Sequence, residues 1–233
     1  MKKNNFKILA LIFISALSLS SCSSDGSGDS TGTTTGNYLP LAVGNKWNYT
    51  DGTTATLDQI TGTTNFGGTT YYDSDSNYDP GIDIQAQSWQ VKKGASYYQK
   101  TGEATYVEGS TTIVMDSYEM KTFRDDLAVG ETWTGSASPK VHYSSSSGSG
   151  TLTAHVNYTG KITARDVSET LEGVTYNNVI KMQMDVVETV NSQVTNIHGE
   201  YWLAKDIGII RESILSSTDN ITRTRNLTSY ELH

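Results

Sequence analysis

Leu152-Thr153-Ala154-His155-Val156-Asn157-Tyr158-Thr159 is the stretch on which the fold class turns. Apolar side chains stand at 152, 154, 156 and 158, and polar ones stand between them. A period of two sends successive side chains to opposite faces of an extended chain, so the stretch reads as a strand with one dry face. Ile180, Met182, Met184 and Val186 alternate in the same way with Lys181, Gln183, Asp185 and Val187. A turn at Asn191-Ser192-Gln193 then leads into a strand from Val194 to Ala204, and the pair reads as a hairpin. Working outward, strands are expected at 47–50, 55–61, 69–72, 82–91, 96–100, 105–107, 111–123, 207–214 and 221–230. Turns rich in Gly, Asn, Asp or Ser separate most of them. No window of helical length carries a sustained i, i+3, i+4 apolar face, so any helix is confined to a single turn near Leu41 or Leu127.

A second pattern concerns organisation. Leu41-Ala42-Val43-Gly44-Asn45-Lys46-Trp47 recurs as Leu127-Ala128-Val129-Gly130-Glu131-Thr132-Trp133. Downstream, Gly68-Thr69-Thr70-Tyr71 is matched by Gly173-Val174-Thr175-Tyr176, and Tyr97-Tyr98-Gln99-Lys100 by Tyr201-Trp202-Leu203-Ala204-Lys205. In each copy a glycine able to take positive φ makes a tight turn, and the Trp that follows anchors a strand inward. The expectation is an antiparallel all-β domain over 37–233, internally duplicated over about 38–108 and 124–215. Its curved sheets would form a sandwich or an open barrel. Residues 144–150, Ser-Ser-Ser-Ser-Gly-Ser-Gly, fall inside the insertion that separates the copies and are expected to form a hairpin loop.

Composition narrows the partners. With 233 residues, 36% hydrophobic and 18% charged, the chain can bury one sizeable core. The formal net charge is −8. Residues 1–22 read as a targeting segment, with Lys2, Lys3 and Lys7 ahead of an apolar run from Ile8 to Leu19 that is short for a bilayer span. Its removal leaves 14 basic against 25 acidic residues, a net −11. Such a surface repels nucleic acid and anionic headgroups, so neither is expected as a partner recognised by charge. From Ser23 to Gly36 there is no apolar residue, and 23–36 reads as a flexible linker.

The targeting segment ends in Leu19-Ser20-Ser21-Cys22, which resembles the lipobox of bacterial lipoproteins. The resemblance implies a diacylglycerol on the Cys22 thiol and cleavage before it. Cys22 is the only cysteine, so no disulfide forms within the chain. Acyl chains gain about 0.8 kcal/mol per buried methylene, enough for two or three to hold a protein at a bilayer. Ser23 follows Cys22, with Asp25 and Asp29 beyond it; this resembles the outer-membrane sorting and surface-export signals of Bacteroidetes lipoproteins. Pro40-Leu41, Gly44-Asn45, Trp47 and Tyr49, with Ala204-Lys205-Asp206-Ile207-Gly208 near the end, resemble a group of bacterial lipoproteins with a Pro-Leu-x-x-Gly-Asn-x-Trp-x-Tyr opening. That group implies no activity, and Asp206-Ile207 departs from its usual Gly-Val.

Three sets of residues invite chemistry. Asp73, Asp75, Asn77 and Asp79 place oxygen ligands at alternate positions, the spacing by which a calcium loop begins, so they are the candidate Ca2+ ligands. Tyr78 stands where an EF-hand loop has glycine, and a solvated acidic turn uses the same residue types. Trp89 shares a strand parity with Asp83, Gln85 and Gln87 and is the candidate exposed aromatic for a ligand, whereas Trp47 and Trp133 read as core anchors. The histidines read as solvated. No nucleophile elbow, zinc-binding His pair, phosphate-cradling glycine loop or paired carboxylates select a catalytic site. The expected function is a non-catalytic binding or structural module on the cell envelope, held at the outer membrane or cell surface by the bilayer around acylated Cys22, with a carbohydrate, protein or lipid ligand. A carrier of a lipid in a β-sheet cleft, lined by Met115, Met182 and Met184, is the alternative, and a carbohydrate-active enzyme a third reading.

Overall fold

The computed structural model describes residues 32–76 and 86–233. Residues 1–22, expected to be a targeting segment ending in Cys22, lie outside these residues. Fifteen antiparallel strands and no helix are found among the described residues, and they form one unclosed sheet. The first half of the chain supplies β1 (Lys46–Thr50), β2 (Ala55–Phe66), β3 (Thr69–Ser76), β4 (Ser88–Lys93), β5 (Ser96–Thr101), β6 (Ala104–Glu108), β7 (Thr111–Met115) and β8 (Tyr118–Arg124). The second half supplies β9 (Thr132–Ala137), β10 (Lys140–Ser145), β11 (Gly148–Leu171), β12 (Val174–Val190), β13 (Gln193–Ala204), β14 (Gly208–Ser216) and β15 (Thr222–Glu231).

Two runs of six strands follow the same order, β1-β2-β3-β4-β5-β8 and β9-β11-β12-β13-β14-β15, and β15 pairs with β1 to join them. The two Leu-Ala-Val-Gly turns make the same bonds. Gly44 N donates to Ile60 O and Gly130 N to Ile162 O, while Asn45 N bonds Ala42 O and Glu131 N bonds Ala128 O. Both glycines sit at positive φ, 96° and 90°, where a Cβ would be strained. Trp47 and Trp133 are both buried. The third sequence match behaves differently: Tyr97–Lys100 lies on β5, the fifth strand of its run, and Tyr201–Ala204 on β13, the fourth.

The sheet curls, because one core gathers Tyr97 of β5, Phe123 of β8, Trp133 of β9, Ile162 of β11, Met182 and Met184 of β12 and Leu203 of β13. This is the open-barrel alternative rather than a sandwich. Among the described residues no strand pairing joins β8 to β9, and side chains bridge that seam. Trp133 Nε1 donates to Lys121 O at 3.1 Å, and Lys121 N donates to the Tyr158 hydroxyl at 2.9 Å. Trp133 stands opposite Gly160, and Tyr158 opposite Gly135. Each ring lies across its glycine, so a Cβ at Gly160 would overlap the Trp133 indole and one at Gly135 the Tyr158 phenol. Gly160→Ala should therefore cost about 2 kcal/mol through overpacking. Thr134→Ala, at an exposed position beside the same seam, should change stability by less than about 0.5 kcal/mol. Chemical unfolding of both variants checks this, and equal midpoints would show that the indole moves aside without cost.

Two strand expectations change. The stretch 111–123 divides into β7 and β8, because β7 pairs with β10 and β8 with β5, and Asp116-Ser117 carries the chain between them. Residues 144–150 are not a loop: Ser144 pairs with Ser149 and Ser145 with Gly148, which leaves a two-residue turn. His142 faces Thr151 in that register.

The strand directions give the domain two ends. One end carries both Leu-Ala-Val-Gly turns, the β4–β5 turn at Gly94, the end of β8 near Asp125 and the β13–β14 turn at Asp206. The other end carries β6, β7, β10, the start of β11 and the turns at 191–192 and 217–221.

Candidate functional site

The first end receives the N-terminal segment. Asp125 is fully buried, and its carboxylate accepts from Thr34 Oγ1 at 2.7 Å, Thr35 N at 2.8 Å and the Tyr97 hydroxyl at 3.2 Å, with Lys92 Nζ at 3.0 Å. Lys92 also donates to Gly36 O, Arg165 to Thr35 Oγ1 at 3.0 Å, and Asp206 N to Asn37 O at 2.6 Å. Burial pushes the Tyr97 hydroxyl far above its usual range, and the neighbouring Asp125 charge adds to that, so it stays a donor. The linker expected over 23–36 thus ends earlier: residues 32–36 belong to the domain. A buried carboxylate needs partners, and the free backbone and hydroxyl donors of this Thr-rich segment supply them.

The interior holds a second ionic cluster. Arg225 on β15 forks onto Asp58 of β2 with bonds of 3.0 and 2.8 Å, and its Nε lies 3.3 Å from Glu212 of β14. Arg225 and Glu212 are 2% and 1% exposed. The guanidinium also covers the Tyr49 ring, 4.3 Å from its centroid, and the Tyr49 hydroxyl donates to Ile209 O. Burial drives the Glu212 carboxyl upward, and Arg225 opposes that. For Arg225 burial acts downward, but Glu212 and Asp58 outweigh it and hold the guanidinium charged. A cavity of about 30 Å3 adjoins Asp58, lined by Trp47, Tyr49, Ser74 and Gln90 among others. It is room for a water or two and no organic ligand.

Glu188 is the third interior carboxylate. It continues the inward series Met182, Met184 and Val186 on β12, is 6% exposed, and has no hydrogen bond or ion pair among the described residues. Burial alone raises its carboxyl to about 7. It stands toward the second end, opposite buried Thr195 on β13, and its charge raises the Tyr118 hydroxyl further above the range to which burial has already pushed it.

Of the residues singled out from sequence, Asp73, Asp75 and Trp89 are among the described ones, and Asn77 and Asp79 lie outside them. Asp73 and Asp75 lie on β3, on either side of a register shift in its pairing with β2, and residues two apart on a strand are separated by about 7 Å. Asp73 accepts from Thr64 Oγ1 at 2.8 Å and Asp75 from Gln59 Nε2 at 3.0 Å. Their backbone is extended, and the other two candidate calcium ligands, Asn77 and Asp79, lie outside the described residues. Trp89 is half-buried rather than free-standing. It meets Phe66 edge to face at 5.0 Å and lies against Gly102, whose missing side chain leaves room for the indole. The outer face around it carries Tyr71, Tyr98, Lys93 and Lys100, with Lys100 over the Phe66 ring and buried Glu119 accepting from Tyr71 at 2.9 Å. His142, His155 and His198 are dispersed, each bonded to its own neighbour: Asp116, Ser138 and Asp185.

No protein-family model matches the chain, and no curated protein matches it. Two solved structures are similar. One is a candidate lipoprotein from Parabacteroides distasonis ATCC 8503, 10% identical, with a TM-score of 0.48 over 83% of this chain and 98% of that one. The other is a candidate exported protein with a YmcC-like fold from Bacteroides fragilis NCTC 9343, 8% identical, with a TM-score of 0.39 over 83% and 98% of the two chains.

Proposed function

We propose that the chain is a lipid-anchored module of the cell envelope, non-catalytic, held at the outer membrane or cell surface through acylated Cys22 and presenting its second end to a ligand or partner. The observation that carries this reading is the clasp around Asp125. Ten residue steps separate Cys22 from Gly32, and from Gly32 onward the chain is bound at one end of the domain. The end remote from the anchor is the elaborated one, with the additional strands β6, β7 and β10 and the unpaired Glu188. A hydrogen-bond donor or cation on a ligand would satisfy that carboxylate. The alternative of a lipid carrier has less support, because Met182 and Met184 are buried in one packed core and Met115 in another. Cys22→Ala should move the protein from the membrane pellet to the soluble fraction, while its thermal melt stays unchanged because Cys22 precedes the clasp. Retention of the variant in the pellet would overturn the anchoring.

A further inference from the structure

We propose that the end bearing the two Leu-Ala-Val-Gly turns rests on the bilayer that holds the protein's own acyl chains, with Val43 and Val129 entering the headgroup layer. This deepens the anchored reading and rests on it. Val43 and Val129 occupy the same position in two turns of identical bonding, and they are 51% and 59% exposed. A turn tip needs no apolar side chain for its own geometry, yet both tips carry one. Both lie on the end where Asp125 binds Thr34 and Thr35.

Chain length makes this end the near one. Ten residue steps from Cys22 to Gly32 span at most about 35 Å even when fully extended. From Ile162, bonded to the Gly130 turn, to Gly148 at the far end, β11 runs fourteen residues, about 46 Å at strand rise. The tether therefore cannot reach back along the domain and set the far end on the membrane. Part of the charge on this end is paired internally. The chain as a whole is acidic, but on this end Lys46 pairs with Glu231 at 3.1 Å, Arg124 with Asp126 at 2.6 Å and Lys92 with Asp125 at 3.0 Å. Exposed Glu131 and Asp206 also stand on this end, so the apolar tips suit a zwitterionic surface rather than an anionic one.

Because Cys22 is the only cysteine and its thiol is blocked by acylation, single cysteines can be placed and labelled cleanly. Acylated full-length protein carrying Val43→Cys, Val129→Cys, Val107→Cys or Val194→Cys would be labelled with an environment-sensitive fluorophore. Each would be reconstituted into phosphatidylcholine–phosphatidylethanolamine vesicles containing brominated lipid. The expected result is a blue shift and quenching at 43 and 129, and neither at 107 and 194, which belong to the far end. Flotation of the protein with the vesicles but no quenching at 43 and 129, or quenching at only one of them, overturns the docking alone. Failure to float overturns the anchored reading and the docking with it.

Discussion

Arg225→Met should unfold the domain more easily by about 4 kcal/mol at neutral pH, because it leaves the carboxyls of buried Glu212 and half-buried Asp58 without their shared cation. Native Arg225 is 2% exposed and bonds Asp58 through two nitrogens while its Nε approaches Glu212. Removing one member of such a cluster costs more than the cluster contributes, since the desolvation of the remaining charges is no longer offset. Two further measurements separate this cause from lost packing over Tyr49. Arg225→Met combined with Glu212→Gln should regain part of the loss, and the single variant's deficit should shrink at pH 5 as Glu212, whose carboxyl burial already drives upward, takes up a proton. A deficit below about 1 kcal/mol that does not vary with pH would mean that water reaches the cluster and the cation is dispensable.

The strand framework was legible in the sequence because burial in a two-faced sheet imposes the period that sequence displays directly. Ile180, Met182 and Met184 are buried, and Lys181, Gln183 and Asp185 lie on the opposite face of β12. The turn at Asn191-Ser192 was legible for a different reason: both residues take positive φ, 47° and 67°, in the two-residue hairpin turn that joins β12 to β13. The seam was not legible. Gly160 matters because Trp133 lies opposite it, and cross-strand register over 27 positions is a property of the fold, with no local sign at either residue. The clasp escaped for a similar reason. A Thr-Thr-Thr-Gly segment reads as linker by composition, and only the buried Asp125, some ninety positions away, turns its donors into partners.

The interior charges leave a trace in the sequence. Glu188 follows Val186 and precedes Val190 at the inward parity, and Glu212 stands between Ile210 and Ile214 in the same manner. Period two assigns both to the dry face, and the usual preference of carboxylates for water hid that assignment. Parity was the better guide at these positions. Alternate Asp residues are what both the start of a calcium loop and a strand's outward face show, and Asp73 and Asp75 are in a strand.

Glu188 gives the protein a predictable response to pH. Its carboxyl has the ordinary value of 4.5 when the chain is unfolded and about 7 when folded, and burial is the cause. Below pH 4.5 the group is protonated in both states and costs nothing. Between 4.5 and 7 the unfolded chain releases the proton first, so the folded state binds more protons and stability falls as pH rises. Above pH 7 both forms are ionised and the full penalty remains, about 3 kcal/mol for a displacement of that size. Glu188→Gln removes the titration while keeping the shape and the polarity. The variant should match the wild type near pH 4.5 and exceed it at pH 8 by roughly 3 kcal/mol, which for a domain of this size is near 10 °C in melting temperature. Melts at pH 4.5, 6 and 8 test it, and a variant that shows the wild-type slope between pH 4.5 and 7 would place the titrating group elsewhere. A ligand whose donor reaches Glu188 would lower that carboxyl's value and restore the stability lost above pH 7, so it would raise the wild-type melt at pH 8 and leave Glu188→Gln less affected.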